Sequence, residues 1–374
     1  MHPTATVSPA GGYAGELDAV AVAEFQQSAM AENTGVAYRS DWRQFTRWAR
    51  LRDLTAMPAS PETVAAYLAS MARLIDDKGE WLYAPSTLGR RLAAIAKAHQ
   101  LDGLLSPCRD PQVSTTLAGI RRERVRPARR ATPLLLADLR RVLQQIELWQ
   151  FPQAVIGRRD AALLLMGFAG AFRRSELTAL TVADVALHPQ DGLHVRMRRS
   201  KTDQEGRGAV KALPYGTNPD TCPPCIYLRW RQVLDAADTD GRVGILRTLR
   251  QRPVDGASTG HLCRTVGLLP DGDGLPKHRP LFRAVHKTGL PGADPMSGHV
   301  VGAVVKRRAA AAGLNAEHLS GHSLRAGFVT QAVRGGADAG AIMRQTGHRS
   351  SAMVELYRRE NAPLLGNAVT ALGL

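Results

Sequence analysis

The feature that most restricts the fold is a run of six arginines within ten residues, RRERVRPARR at 121–130. A stretch this charged does not pack into an apolar interior, because each guanidinium would lose its hydration without gaining a partner. The run therefore divides the chain into two stretches that must each build a core, and 374 residues suffice for two. The first stretch, residues 17–120, carries helical periodicity and little else. Tyr38, Trp42, Phe45 and Trp48 recur at spacings of four, three and three, which puts them on one helix face as core residues rather than a stacking platform. Ser60 followed by Pro61 makes a good helix start, with Val64, Leu68, Met71 and Ile75 as the buried stripe. Ser86 opens a third helix, with Leu88, Leu92 and Ile95 inward and Arg90, Arg91 and Lys97 outward. A fourth helix ends near Ile120.

The second stretch is mixed. Leu136, Leu139, Leu143 and Ile146 predict one helix, and Arg158 to Ala171 a second that is apolar nearly all round. The longest apolar run, Ala161 to Phe172, has 12 residues, short of the ~20 needed to cross a bilayer. LHVRMRRS alternates, meets the turn-like DQEGRG and returns as AVKALP, which predicts a β-hairpin. Between Thr217 and Arg279 a helix near Ile226 to Ala236 precedes a stretch rich in Gly, Pro and Asp, read mostly as loop or insertion. Helical patterns resume from Gly298. The expected fold class is mostly α with a small β-sheet or hairpin. It comprises a flexible tail (1–16), an all-helical N-terminal domain (17–120), an arginine-rich linker (121–131) and a mixed α/β domain (132–374). In the closing tail, 361–374, Leu365, Val369 and Leu372 stand at helical spacing and could dock on a neighbouring copy or fold back on their own chain.

Lys plus Arg number 49 against 33 Asp plus Glu, a net charge of +16. Such an excess attracts polyanions, of which nucleic acid is the commonest large one in a cell. A linker of this charge is well suited to crossing a phosphate backbone. The N-terminus lacks a basic segment followed by an apolar one, so no secretory signal is expected, and four cysteines form no disulfide framework, which suits a reducing cytoplasm.

Five segments carry chemistry together. GAFRRSEL holds Arg173 and Glu176 at the close of the apolar helix, and RSKTD holds Lys201 where the hairpin turns. GHSLRAG puts His322 and Arg325 one helical turn apart on a shared face. TGHRS presents His348 after Gly347, a residue type that stops helices, and Tyr357 follows nine residues later in a helix that Ser350 or Ser351 could start. Attack on a phosphodiester needs these types. Guanidiniums bind charge developing on the non-bridging oxygens, a lysine can protonate the leaving oxygen, and an imidazole can assist a phenol. Each piece alone has an ordinary structural reading, such as a helix-start ion pair or a solvated lysine. Their order and spacing together do not.

These segments resemble the active-site signature of the tyrosine recombinase (phage integrase) family, and MPASPETVAAYL and SGHSLRAGFVTQAVRGG resemble its Cre-like members. The resemblance implies that Arg173 and Arg325 grip the scissile phosphate and that Lys201 protonates the leaving oxygen. It further implies that His322 and His348 assist proton transfer, Glu176 orients its neighbours, and Tyr357 forms a 3′-phosphotyrosyl link. His348 stands where Cre-like members can carry Trp, a local departure. The implied partners are double-stranded DNA with a specific site and three further copies of the chain, in the cytoplasm at the bacterial nucleoid, with no membrane, ATP or metal cofactor. Candidate DNA contacts are Arg90, Arg91, Lys97, Arg121, Arg122, Arg124, Arg126, Arg129 and Arg130. Strand relaxation of the type IB topoisomerase kind, or DNA binding without catalysis, would be the alternatives. Cys222, Cys225, His261 and Cys263 number enough for a zinc site, but the His-x-Cys spacing is atypical, so no metal is expected. DGDG at 271–274 reads as a turn.

Overall fold

Proline opens three of the first four described helices, where its missing N–H costs nothing. In the computed structural model these are α1 (Glu32–Arg50), α2 (Pro61–Ala72), α3 (Pro85–Leu101) and α4 (Pro111–Glu123). The structure describes residues 32–124, 131–198, 208–251, 260–265, 275–365 and 367–372. The expected tail 1–16, Lys201, Arg126, Arg129, Arg130 and the 271–274 turn lie outside them. The chain divides into two units, Met1–Ala128 and Arg129–Leu374.

In the first unit Ser60 accepts a hydrogen bond from the Thr63 N–H, and Asp110 caps α4 through the Gln112 N–H. Phe45, Trp48, Val64, Tyr67, Leu68, Leu88, Ile95 and Val113 form the core, while Trp42 packs against it half-buried. Four details differ from the sequence reading. Helix α2 stops at Ala72, so Ile75 lies beyond it and is 59% exposed. Ser86 does not open α3, which begins at Pro85 after Ala84. Helix α4 continues to Glu123, so Arg121 and Arg122 occupy its last turn instead of a linker. Arg91 points inward, not outward. Only 2% exposed, it donates to Tyr67 Oη at 2.9 Å and Gln44 Oε1 at 2.5 Å and lies 3.9 Å over the Tyr83 ring. A buried guanidinium needs partners of this kind, and having them removes Arg91 from the candidate DNA contacts.

The second unit is built around α6 (Gln153–Ala169), which follows α5 (Leu136–Gln144) and is buried along nearly its whole length, as its unbroken apolar pattern requires. Its one acid, Asp160, is 0% exposed and meets Arg159, Arg307 and Arg308 at 2.7–2.8 Å. A short α7 (Arg174–Thr178) leads into the antiparallel sheet β1 (Val185–His188), β2 (Gly192–Met197) and β3 (Ala209–Leu213), in the order β1-β2-β3. The β2–β3 pair is the expected hairpin, with Val195 opposite Lys211. Next comes α8 (Pro223–Arg250), far longer than the helix expected near Ile226–Ala236 and broken at Gly241 (φ 59°). Much of the supposed insertion is thus helix, held by burial of Trp230, Val233, Leu234, Ile245 and Leu249. After α9 (Leu262–Thr265) and the ribbon β4 (Arg283–Val285) and β5 (Pro291–Pro295) come α10 (Gly298–Ala311), α11 (Ser323–Arg334), α12 (Ala339–Thr346) and α13 (Ser351–Asn361). Among the described residues no helix is long and apolar enough to cross a membrane. Beyond α13 the described residues include a 3-10 turn, Ala368–Ala371, with Leu365, Val369 and Leu372 exposed.

Candidate active site

The site begins where α6 ends. Ala171 adopts a left-handed conformation (φ 46°), which turns the chain from α6 into α7. Gly170 is required beside it, because a Cβ there would lie 2.1 Å from the Phe172 ring. Three side chains from three different elements hold the carbonyls of this turn. Gln345 Nε2 donates to Ala169 O at 2.8 Å, Lys211 Nζ to Gly170 O at 2.7 Å, and Arg325 Nη1 to Ala171 O at 2.7 Å. The turn delivers Arg173 as the residue capping α7. Its backbone N–H donates to Glu176 Oε2 at 3.0 Å, and its guanidinium pairs with Glu176 Oε1.

Arg325 extends from the first turn of α11 and is 1% exposed. Its Nη1 also donates to Thr346 O at 2.6 Å, whereas its buried Nη2 has no hydrogen-bond partner among the described residues. Burial and the neighbouring Arg173 push its pKa down to about 10, opposed by Glu176 and Tyr357. A planar guanidinium fixed on one side with a donor to spare on the other suits an oxyanion such as phosphate.

His322, at the N-terminal end of α11, places Nε2 3.1 Å from Tyr357 Oη. Burial, then Arg325 and Arg173, hold His322 below the usual histidine range. At neutral pH the ring is therefore uncharged, and Nε2 can accept the phenolic proton. Tyr357 is 6% exposed and packs among Ala326, Val329, Ile342 and Val354. Helix α13 that carries it is capped by Ser350, and α12 before it stops at Gly347 in the left-handed conformation (φ 69°). His348, between those helices, stacks on Tyr357 with ring centroids 6.3 Å apart. Burial first, and then Arg325, Arg173, His322 and Lys211, push its pKa down to about 4.

Arg173, Glu176, His322, Arg325, His348 and Tyr357 thus come from four parts of the sequence to one cluster. Lys201 lies outside the described residues. Sequence reasoning missed Lys211. It is buried on β3, its ammonium 4.7 Å from the Phe172 ring centroid, and burial pushes its pKa down to about 8 despite Glu176. The signal was the strand period. Leu213 faces the core, so Lys211, two residues earlier, must face the same way.

The remaining candidates are scattered. Arg90 is 3.3 Å from Asp41, Lys97 Nζ contacts Gln100 Oε1 at 3.3 Å, Arg121 and Arg122 are exposed, and Arg124 lies 3.8 Å over the Trp81 ring. The four residues set aside as metal ligands do converge. Cys222, Cys225, His261 and Cys263 place their ligand atoms within 4.8 Å of one another, because α9 folds back onto the start of α8 and offsets the unusual spacing.

Residues 275–363 match the phage integrase family. The integrase/recombinase XerD homolog of Selenomonas ruminantium is 31% identical over 350 residues, covering 92% of this chain and 87% of that protein. The Cre recombinase of Escherichia phage P1 is 25% identical over 333 residues, covering 89% and 85%. Among solved structures, the Tn1549 transposon integrase in complex with transposon right end DNA has the same fold, with a TM-score of 0.51 at 16% identity over 88% of this chain and 89% of that one. An extended match of this identity, with a phenol, two arginines and two histidines gathered in one cluster, makes the chain a tyrosine site-specific DNA recombinase of the phage integrase family.

Proposed function

We propose that this recombinase cuts and rejoins duplex DNA through a covalent bond between Tyr357 Oη and a 3′ phosphate. The observation that carries the reading is the 3.1 Å hydrogen bond between Tyr357 Oη and His322 Nε2, next to the buried Arg325. Oη attacks phosphorus while His322 Nε2 takes its proton. The bond from phosphorus to the 5′ oxygen breaks, and Lys201 supplies the proton that this oxygen needs. Arg173 and Arg325 bind the non-bridging oxygens, whose charge grows in the transition state. Attack by the 5′ hydroxyl of another strand reverses the step and frees Tyr357, so the bond energy is retained and no ATP is consumed. Lys211 acts as a positioning residue that holds the turn carrying Arg173.

Two such exchanges on paired duplexes, with four copies assembled, proceed through a Holliday junction at the nucleoid. Residues 17–120 form the DNA-binding domain, and the arginine-rich segment, with Arg90, Lys97, Arg121, Arg122 and Arg124, contacts phosphates. The family's recombinases and the DNA-bound transposon integrase support duplex DNA as the substrate. The test is a nicked suicide substrate carrying the native site. Wild type should accumulate a covalent protein–DNA adduct without added magnesium, and Tyr357→Phe should bind the same DNA and form none. An adduct that persists in Tyr357→Phe would refute the assignment.

A further inference from the structure

The proposed chemistry uses none of the four residues that meet between α8 and α9. Cys222 immediately precedes α8, Pro223 and Pro224 fix the entry of the chain, and Cys225 follows in the first turn. Gly260–Thr265 returns to this point with His261 and Cys263. The sulfur of Cys263 lies 3.8 Å from that of Cys222 and 3.4 Å from that of Cys225. His261 Nδ1 lies 3.5 Å from the Cys225 sulfur and 4.0 Å from that of Cys263. A tetrahedral zinc with ordinary bond lengths separates two thiolates by about 3.8 Å and a thiolate from an imidazole nitrogen by about 3.5 Å. The spacing is much too long for a disulfide, whose sulfurs are about 2.05 Å apart.

We infer that Cys222, Cys225, His261 and Cys263 form a structural zinc site. Buried cysteines alone could be small apolar residues, but that reading leaves the histidine unexplained. Its Nδ1 is turned toward the sulfurs while Nε2 lies 3.3 Å from the Thr217 carbonyl, the outer hydrogen bond that fixes a metal-ligating imidazole in the right tautomer. The Gly216 N–H donates to the Cys222 sulfur at 3.3 Å, as it would to a thiolate. Three sulfurs and an imidazole favour zinc over the hard cations, and four protein ligands leave no position for a substrate. Binding sends the three thiol protons to solvent. The site ties residues 260–265 to the start of α8. Among the described side chains of residues 260–265 Cys263 alone is buried and Leu262 half-buried, so few apolar contacts of its own hold this segment.

Elemental analysis of untagged protein, purified without chelator, should find about one zinc per chain. Cys225→Ser and Cys263→Ser should lose most of that zinc, whereas Cys108→Ser, at the one cysteine outside the cluster, should keep it. Removal of the metal from wild type should lower Tm and open the 260–265 segment to protease. Because a variant could simply misfold, the deciding measurement uses wild type: the reduced, metal-free protein titrated with Co2+ should develop thiolate charge-transfer and tetrahedral d–d absorption, bleached by one equivalent of Zn2+. Zinc-free native protein whose reduced form yields no such spectrum would overturn the assignment. So would a disulfide between any two of the three cysteines in freshly isolated protein.

Discussion

Lys211→Met separates positioning from stability. The side chain keeps its length but loses its charge and its hydrogen bond to Gly170 O. Holding a lysine at about 8 instead of near 10.5 corresponds to about 3 kcal/mol of penalty on the buried ammonium. Methionine removes that penalty and also forfeits a charge-assisted hydrogen bond worth about 1.5–3 kcal/mol, so stability at pH 7 should change by no more than about 1–2 kcal/mol. The pH dependence has a definite sign. Below pH 8 both folded and unfolded states carry the proton and the folded state bears the whole penalty. Between about 8 and 10.5 the unfolded lysine still binds its proton and the folded one does not, so Lys211 makes stability rise with pH across that window. This rise should be missing from Lys211→Met when denaturant midpoints of the two proteins are compared. The turn that aims Arg173 meanwhile loses one of its three anchors. Misplacement by about 1 Å costs on the order of 100-fold in rate, so adduct formation at saturating DNA should fall by about that factor with DNA affinity unchanged. Cleavage within about threefold of wild type, or a rate loss matched by lost binding, would refute the positioning role.

Other outcomes follow from the same geometry. His348, held at about 4 in the folded protein and near 6.5 when unfolded, should make stability fall as pH drops from 6.5 to 4, because only the unfolded state takes up the proton there; His348→Phe should flatten that part of the curve in urea titrations. Gly327→Ala should destabilise by several kcal/mol, on the order of the cost of overpacking a core, because its Cβ would lie 1.9 Å from the backbone oxygen of Leu134; an unchanged urea midpoint would contradict the packing. Arg91→Ala should cost about 3 kcal/mol by leaving Tyr67 and Gln44 without their buried partner and Asp41 with Arg90 alone. Arg122→Ala should instead leave stability within about 0.5 kcal/mol and reduce the slope of log binding constant against log salt by about one.

Local chemistry was legible wherever neighbours along the chain determine it. The caps at Ser60 and Ser350, the left-handed stop at Gly347 and the β2–β3 hairpin follow from backbone hydrogen bonding within a few residues. So does the apolar interior of α6, whose pattern admits no solvent face. Charge and exposure were less legible. Arg91 is as polar on paper as Arg90, and only the partners folded around it decide that one is buried and the other is not. Helix α8 was truncated in the reading because Gly241 and its polar neighbours look like loop, whereas burial of Ile245 and Leu249 carries the helix past them.

The order of residue types from Arg173 to Tyr357 was enough to indicate phosphodiester chemistry, since that reaction restricts which groups can serve it. Convergence is another matter. That Lys211 joins the arginines, that Arg325 grips the same turn that aims Arg173, and that His261 meets three sulfurs are contacts between residues 36–154 positions apart. Sequence spacing carries no distance information at that range. Burying the surrounding apolar surface determines which of many possible meetings occurs, so those meetings belong to the tertiary structure.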